Sequence, residues 1–213
     1  RPPRSTIDRS SAASDVYKRQ IKTLPFDISK HDKIENFIDQ ASELLGGTLN
    51  CLVNNAGITQ DNLAIRMNIE QWNKVIEVNL NSAFNVTSLV INKMRENTFG
   101  RIVHISSVNG QKGQFGQSNY AATKSALIGF SKSLALESAS KNITSNDICP
   151  GYINTEMVAA IREDILKNII DGIPAKRLGG SEEIAELVGY VVSDKASYIN
   201  GATLSINGGL WMD

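Results

Sequence analysis

Residues 101–124 read RIVHISSVNGQKGQFGQSNYAATK, and the fold of the chain can be worked outward from them. Residues 101–105 form a short apolar run behind Gly100 that stops at a serine pair, the pattern of a buried strand. A loop rich in Gly, Gln and Ser follows, and residues 118–140 then predict a helix. Towards the N-terminus, residues 70–97 predict a long helical stretch. Before it, residues 49–53 predict a strand ending in Asn54-Asn55-Ala56-Gly57. Ile34, Phe37, Ile38, Ala41, Leu44 and Leu45 share one face of a still earlier helix, with Ser29 as its N-cap and Gly46-Gly47 as its stop. Residues 21–28 predict a further short strand. Towards the C-terminus, residues 143–149 predict a strand stopped by Pro150-Gly151. Helices are predicted near 162–171 and 182–193, and a last strand over 203–206.

Short apolar strands alternating with helices predict an α/β fold, a doubly wound parallel sheet with both faces covered. Ligands of such folds lie beyond the carboxyl ends of the strands. Every suggestive polar cluster here follows a predicted strand: residues 54–57, Ser106-Ser107, and residues 150–155.

The composition narrows the function classes. The chain has 213 residues, 41% hydrophobic and 21% charged, which suits one domain with an ordinary core. Net charge is +0, so nothing points to nucleic acid or to an acidic membrane surface. No run of eighteen apolar residues predicts a membrane span, and no signal-peptide pattern opens the sequence. Cys51 and Cys149 both sit in apolar runs and are expected to be buried thiols, in keeping with a reducing cytoplasm. His31 and His104 lack the spaced Cys, His or Asp partners of a metal site. Trp72 is expected in the core, and Trp211 in a subunit interface or a pocket wall. Residues 1–20 have no usable apolar period and are expected to be a disordered tail or a translated cloning adapter, leaving residues 21–213 as the single domain.

Tyr120 and Lys124 lie four apart on the predicted helix, so they share a face one turn apart. An ammonium beside a phenol favours the phenolate, which would lower the Tyr120 pKa and suit it to acid–base work. Ser107 ends a strand thirteen residues earlier, where its hydroxyl would reach a substrate carbonyl oxygen. A lone Tyr-x-x-x-Lys says little. The order and spacing of Asn54-Asn55-Ala56-Gly57, Asn79, Ser107, Tyr120, Lys124 and Pro150-Gly151 say more.

That set resembles the short-chain dehydrogenases/reductases over nearly all of residues 21–213. The resemblance implies a Rossmann-like fold and carbonyl reduction by NADPH. It implies that Tyr120 protonates the carbonyl oxygen and that Ser107 polarises it. Lys124 would bind the nicotinamide ribose, and Asn79 would hold a water that relays protons. It further implies cofactor contacts from Asp27, Ile28, Asn55, Ala56, Gly57, Ile58, Thr59, Pro150, Gly151, Ile153 and Thr155.

Within the family, SSVNGQKGQFGQSNY at 106–120, PGYINTEMV at 150–158 and NGGLWM at 207–212 are most similar to members that reduce acetoacetyl-CoA in polyhydroxybutyrate synthesis. Asp61, Gln114, Phe115, Gln117, Tyr152 and Arg162 then match substrate-binding positions. The alternative is reduction of 3-oxoacyl groups on an acyl carrier protein. A homotetramer built on the two long helices and the last strand is implied for either. The family opens with a strand, a glycine-rich Thr-Gly-x-x-x-Gly-x-Gly turn and a second strand. No such turn occurs in this sequence. The chain is therefore expected to lack two strands beside the one at residues 49–53, and to bind cofactor weakly as it stands.

Overall fold

The structure is a computed structural model, and it describes residues 22–155, 158 and 161–212. The tail expected over residues 1–20 and the start of the strand expected at 21 lie outside the described residues. Among the described residues four strands form one parallel sheet in the order β1-β2-β3-β4: β1 Cys51–Asn54, β2 Gly100–Ile105, β3 Ile143–Pro150 and β4 Thr203–Ile206. Every connection crosses over through at least one helix, as parallel neighbours require.

Helices cover both faces. On one lie α1 (Ile34–Leu45), α3 (Ser82–Glu96) and α5 (Ser118–Ser138). Their Ile34, Ile38, Val86, Val90, Met94 and Leu134 bury with Ile102 and Ile143 of the sheet. The opposite face packs Val103, Ile148, Leu204 and Ile206 against α7 (Ser181–Val191) through Leu187, Val188 and Val191. Between these, α2 (Ile69–Ile76), α4 (Val108–Lys112) and α6 (Glu163–Gly172) belong to the carboxyl end of the sheet or its loops. The sheet is the predicted doubly wound α/β core.

Boundaries differ in instructive ways. Residues 22–28 form no strand, because β1 pairs with β2 alone among the described residues. Phe26 stacks on Phe37 at 4.4 Å instead, and Ile28 packs into the core. Ser29 is not an N-cap: its N–H and hydroxyl both donate to the Asp27 carboxylate, and α1 opens from a 3₁₀ turn at His31–Lys33. Gly46 does end α1, at φ 73°, where a residue without Cβ carries no strain. The helical stretch near 70–97 is continuous but not uniform. Its start is a capping box between Asn68 and Gln71, and residues Glu77–Asn81 form a π turn between α2 and α3.

Two burial expectations are corrected. Cys149 is buried, but Cys51 is exposed. It lies on the face of edge strand β1 opposite α1 and α3, whereas α7 packs on β2 and β3. Trp72, expected in the core, is 36% exposed on α2. Among the described residues no helix is long and apolar enough to cross a membrane, and no group of His, Cys, Asp or Glu has metal-binding geometry.

Candidate active site

The site is assembled at the carboxyl ends of β1, β2 and β3. Ser107 follows β2 in extended backbone and caps α4, its Oγ accepting the Asn109 N–H at 3.1 Å. That bond occupies an acceptor position and leaves the hydroxyl hydrogen free to point into the cleft. Ser107 and Tyr120 line the same cleft, close enough for the hydroxyl to favour the Tyr120 phenolate. Tyr120 stands in the first turn of α5, and buried Asn119 fixes that turn. The Asn119 amide donates to the carbonyls of Gln60 (3.0 Å) and Gln71 (3.3 Å) and accepts the Tyr120 N–H at 2.7 Å.

Lys124 is one turn below and buried. Its ammonium donates to the Ile105 carbonyl at 2.6 Å and stands 5.6 Å from the Tyr120 ring centroid. The helix is held tightly here. Ser106 Oγ donates to the Lys124 carbonyl at 2.6 Å, and a Cβ on Gly110 would come within 2.8 Å of the Lys124 backbone. Only glycine fits at 110.

The electrostatics correct one expectation. Burial raises the Tyr120 pKa, the nearby Ser107 hydroxyl opposes that, and the negative Asp61 adds to the rise. The lysine does not bring the phenol down, because Lys124 Nζ is turned to the strand. Burial in turn lowers Lys124 to about 8, with Cys149 and Asp147 acting in the opposite direction.

Asn79 sits in the π turn and is buried. Its side-chain amide reads both main-chain groups of Ile58, accepting N–H at 2.8 Å and donating to C=O at 3.0 Å, and also reaches Thr123. The side chain therefore fixes the 55–59 turn. A Cβ on Gly57 would lie 3.5 Å from both Asn79 Oδ1 and Lys124 Nζ, so the main chain is bare where it faces those two groups.

A cleft of about 410 Å³ is lined by Thr59, Asp61, Ser107, Gln117, Tyr120, Gly151, Tyr152, Ile153 and Thr155, all expected from the sequence. Val108, Asn109, Val158 and Ile161 line it too and were not expected. Asn109 was legible, since it follows Ser107 by two residues at an N-cap. Gln117 braces the wall, its amide nitrogen donating to Asp61 at 2.9 Å and its oxygen accepting from Asn109 at 3.0 Å. A second cleft, about 270 Å³, is lined by Ile28, Asn54, Asn55, Ala56 and Asn79. Asp27, which lines neither cleft, accepts the Ser29 hydroxyl and N–H, and these bonds hold its pKa down. Pro150 ends β3. Gly151 follows it, and a Cβ there would meet the Asn207 main chain at 2.8 Å.

Three expected substrate residues lie outside both clefts. Gln114 accepts a bond from Lys112. Phe115 is 86% exposed. Arg162 forms a two-point pair with Asp164 on the surface.

A nicotinamide fits what is present. Lys124 has three donors, of which one is used on Ile105, and the bare Gly57 main chain lies beside it. Gly151, Ile153 and Thr155 face Tyr120 across the same cleft.

The chain matches the family model described as enoyl-(acyl carrier protein) reductase over residues 5–211. It is 56% identical over 164 residues to nodulation protein G of Azospirillum brasilense, covering 77% of this chain and 67% of that protein. To acetoacetyl-CoA reductase of Acinetobacter sp. (strain RA3849) it is 51% identical over 186 residues, 87% of this chain and 75% of the relative. To 3-oxoacyl-[acyl-carrier-protein] reductase FabG of Escherichia coli (strain K12) it is 45% identical over 203 residues, 95% and 83% of the two chains. With a match of this extent, the chain belongs to the short-chain dehydrogenase/reductase family.

Proposed function

We propose that the chain is an NADPH-dependent reductase of 3-oxoacyl thioesters that prefers acetoacetyl-CoA and forms 3-hydroxybutanoyl-CoA. Relatives named for the CoA and for the carrier-protein substrate both support the coarser reading, a 3-oxoacyl reductase of this family. The observation that carries the chemistry is that Ser107 and Tyr120 line one cleft, with Lys124 buried one helical turn below Tyr120.

When bound, the nicotinamide supplies the hydride. The chain's own residues handle the oxygen. Ser107, its acceptor side taken by Asn109, donates its hydroxyl hydrogen to the substrate carbonyl and stabilises the negative charge that develops there. Tyr120 gives its phenol proton to the same oxygen. A phenol kept protonated by burial is the correct form for reduction at neutral pH. Lys124 binds the ribose hydroxyls and returns a proton towards Tyr120. Asn79 would hold the 55–59 turn against the cofactor and, in this reading, a water that relays protons.

Asp61, Gln117 and Tyr152 line the thioester side of the cleft. Gln117 acts there as a brace for Asp61 and Asn109. Gln114, Phe115 and Arg162 would join the substrate only if their loops close over it. Our reading also includes a cytoplasmic homotetramer, consistent with exposed Phe84 on α3 and Leu136 on α5. The carrier protein remains the second substrate reading, favoured by the FabG relative.

The test follows NADPH absorbance with acetoacetyl-CoA, beside acetoacetyl-carrier protein and a Tyr120→Phe variant. It is run on the chain preceded by the glycine-rich turn and first strands of an acetoacetyl-CoA reductase. Faster oxidation with the CoA ester, lost in the variant, supports the proposal. Preference for the carrier protein moves the substrate and keeps the chemistry. No turnover with either, in a protein that binds NADPH, removes the thioester reading.

A further inference from the structure

A polar row crosses the sheet under the catalytic helix. Asn54, His104, Asp147 and Thr203 occupy matching positions on β1, β2, β3 and β4. In-register neighbours of a parallel sheet point to one side, here the side of α3 and α5. Asn54 Nδ2 contacts Thr87 of α3 at 2.9 Å and His104 Nδ1 at 3.2 Å. The His104 ring meets Phe130 of α5 edge-on at 5.4 Å.

The centre of this row is poorly satisfied. His104 Nε2, both Asp147 carboxylate oxygens and Thr203 Oγ1 are buried without a well-formed hydrogen bond. The Ser131 hydroxyl comes near enough to Asp147 to lower its pKa slightly, but its own bond is to Ser145 at 2.9 Å. Central strands of parallel sheets are normally apolar, and a buried carboxyl without a partner costs several kcal/mol. The next position of β3 on the same face holds buried Cys149, so an apolar residue would fit there.

The row lies directly below the anchorage of Lys124. One residue beyond His104, the Ile105 carbonyl accepts the Lys124 ammonium at 2.6 Å. One residue beyond Asp147, the Ile148 carbonyl accepts the Ser106 N–H at 2.8 Å, and Ser106 Oγ in turn holds the Lys124 carbonyl. Each of the two groups feels the other's charge. The charged and titratable groups around them are few. Lys124 and Lys132 of α5 and His104 of β2 surround Asp147. Asp147 and Cys149 of β3, His104 of β2, and Tyr120 one turn away surround Lys124.

We infer that Asp147 is a positioning residue for proton delivery, a buried counter-charge beneath α5 that keeps Lys124 protonated while Lys124 serves Tyr120. This rests on the reductase reading and adds a residue to it. Asp147 touches neither substrate nor cofactor and acts only through the lysine. His104, held neutral by burial with its pKa lowered to about 4, adds no positive charge to the row near neutral pH.

The experiment titrates Lys124 by NMR in protein labelled with ¹³C-lysine, its signal assigned with Lys124→Met, in the parent chain, Asp147→Asn and Asp147→Val. Both variants remove the charge, and the valine also removes the unsatisfied polar group. The expected result is a fall in the Lys124 pKa of about 1 unit in both. The alkaline limb of kcat moves down by the same amount, while kcat on the plateau stays within about twofold. An unchanged lysine titration, or loss of folding in both variants, makes Asp147 a packing element and overturns the assignment. The lysine titration needs no substrate. Kinetics are read on the chain preceded by the glycine-rich turn and first strands, and absence of turnover there, in a protein that binds NADPH, counts against the reductase reading and not against the coupling.

Discussion

The Lys124 ammonium bonds the Ile105 carbonyl at 2.6 Å and stands 5.6 Å from the centre of the Tyr120 ring. The pair that sequence spacing brings onto one helical face is thus not a direct contact. The lysine serves the strand on one side, which leaves two of its three donors for the cofactor and the proton path of the proposed mechanism.

The first consequence concerns function and stability together. Lys124 has its pKa lowered by burial to about 8, below the value of about 10.4 for an unfolded chain. The unfolded state binds more protons between those values, so the lysine costs stability below pH 8 and the cost vanishes as pH rises through about 10. Lys124→Met is expected to match or exceed the parent in urea midpoint at pH 7, with the gap closing by pH 10. Its reductase activity should fall by roughly 10²-fold or more. A variant that is both unstable and inactive at pH 7 would point to a purely structural lysine.

In the proposed mechanism Ser107 and Tyr120 act on one oxygen, so their losses should not add. Tyr120→Phe and Ser107→Ala are each expected to lower kcat by roughly 10²- to 10⁴-fold. The double variant should fall only slightly further. KM should change little in Tyr120→Phe, because the ring still walls the cleft. Steady-state kinetics on the three variants decide it. A strictly multiplicative double loss would separate the two hydroxyls.

Much of this was legible in the sequence, for identifiable reasons. Residues 101–105 and 203–206 are apolar runs bounded by Gly, Ser or Asn, and they fold as the strands they predict. Helix spacing puts Tyr120 and Lys124 on one face, but their selection together with Ser107 rests on the resemblance to the family. What was not legible depends on contacts distant in sequence. Residues 22–28 form no strand because strand identity needs a partner on the ladder. The π turn at Glu77–Asn81 leaves no signature in the apolar pattern. The sign of the Tyr120 pKa shift depends on where a flexible lysine ends, which spacing does not fix. Asp147 looks like any polar residue in a strand until its register with His104 and Thr203 is known.

Gly110 offers a steric test of how tightly α5 is seated. An added Cβ would meet the main chain of Lys124 and Ser125 at 2.8–3.0 Å, with no flexible side-chain end to yield. Gly110→Ala is expected to cost about 1–3 kcal/mol and to lower kcat by shifting the Lys124 turn. Gly46→Ala is the control. Its site is open, and only its φ of 73° penalises a side chain. It should cost about 1 kcal/mol and leave kcat unchanged. Thermal melts and initial rates separate the two. Equal kinetic effects would remove the link between Gly110 and the site.

Asp147 gives the sharpest pH signature of the fold itself. Burial raises its pKa from about 3.8 to about 7, opposed by Ser131, Lys132 and Lys124. A carboxyl whose folded pKa is raised binds more protons in the native than in the unfolded state across that interval. Stability therefore falls as pH climbs from about 4 to about 7, and stays low above it, by up to about 4 kcal/mol. Other groups contribute their own slopes, so the informative quantity is the difference from Asp147→Asn. That variant loses the ionisation and should lack this fall. It is expected to equal or trail the parent at pH 4 and to exceed it at pH 8. Urea titrations at pH 4, 6 and 8 read the difference directly. If the parent and variant curves run parallel, Asp147 ionises in the fold as it does in water, and the buried row does not hold its proton. A crossing between pH 4 and 7 means that the chain gives up stability at neutral pH to keep a carboxyl beneath Lys124, where valine would have packed without charge.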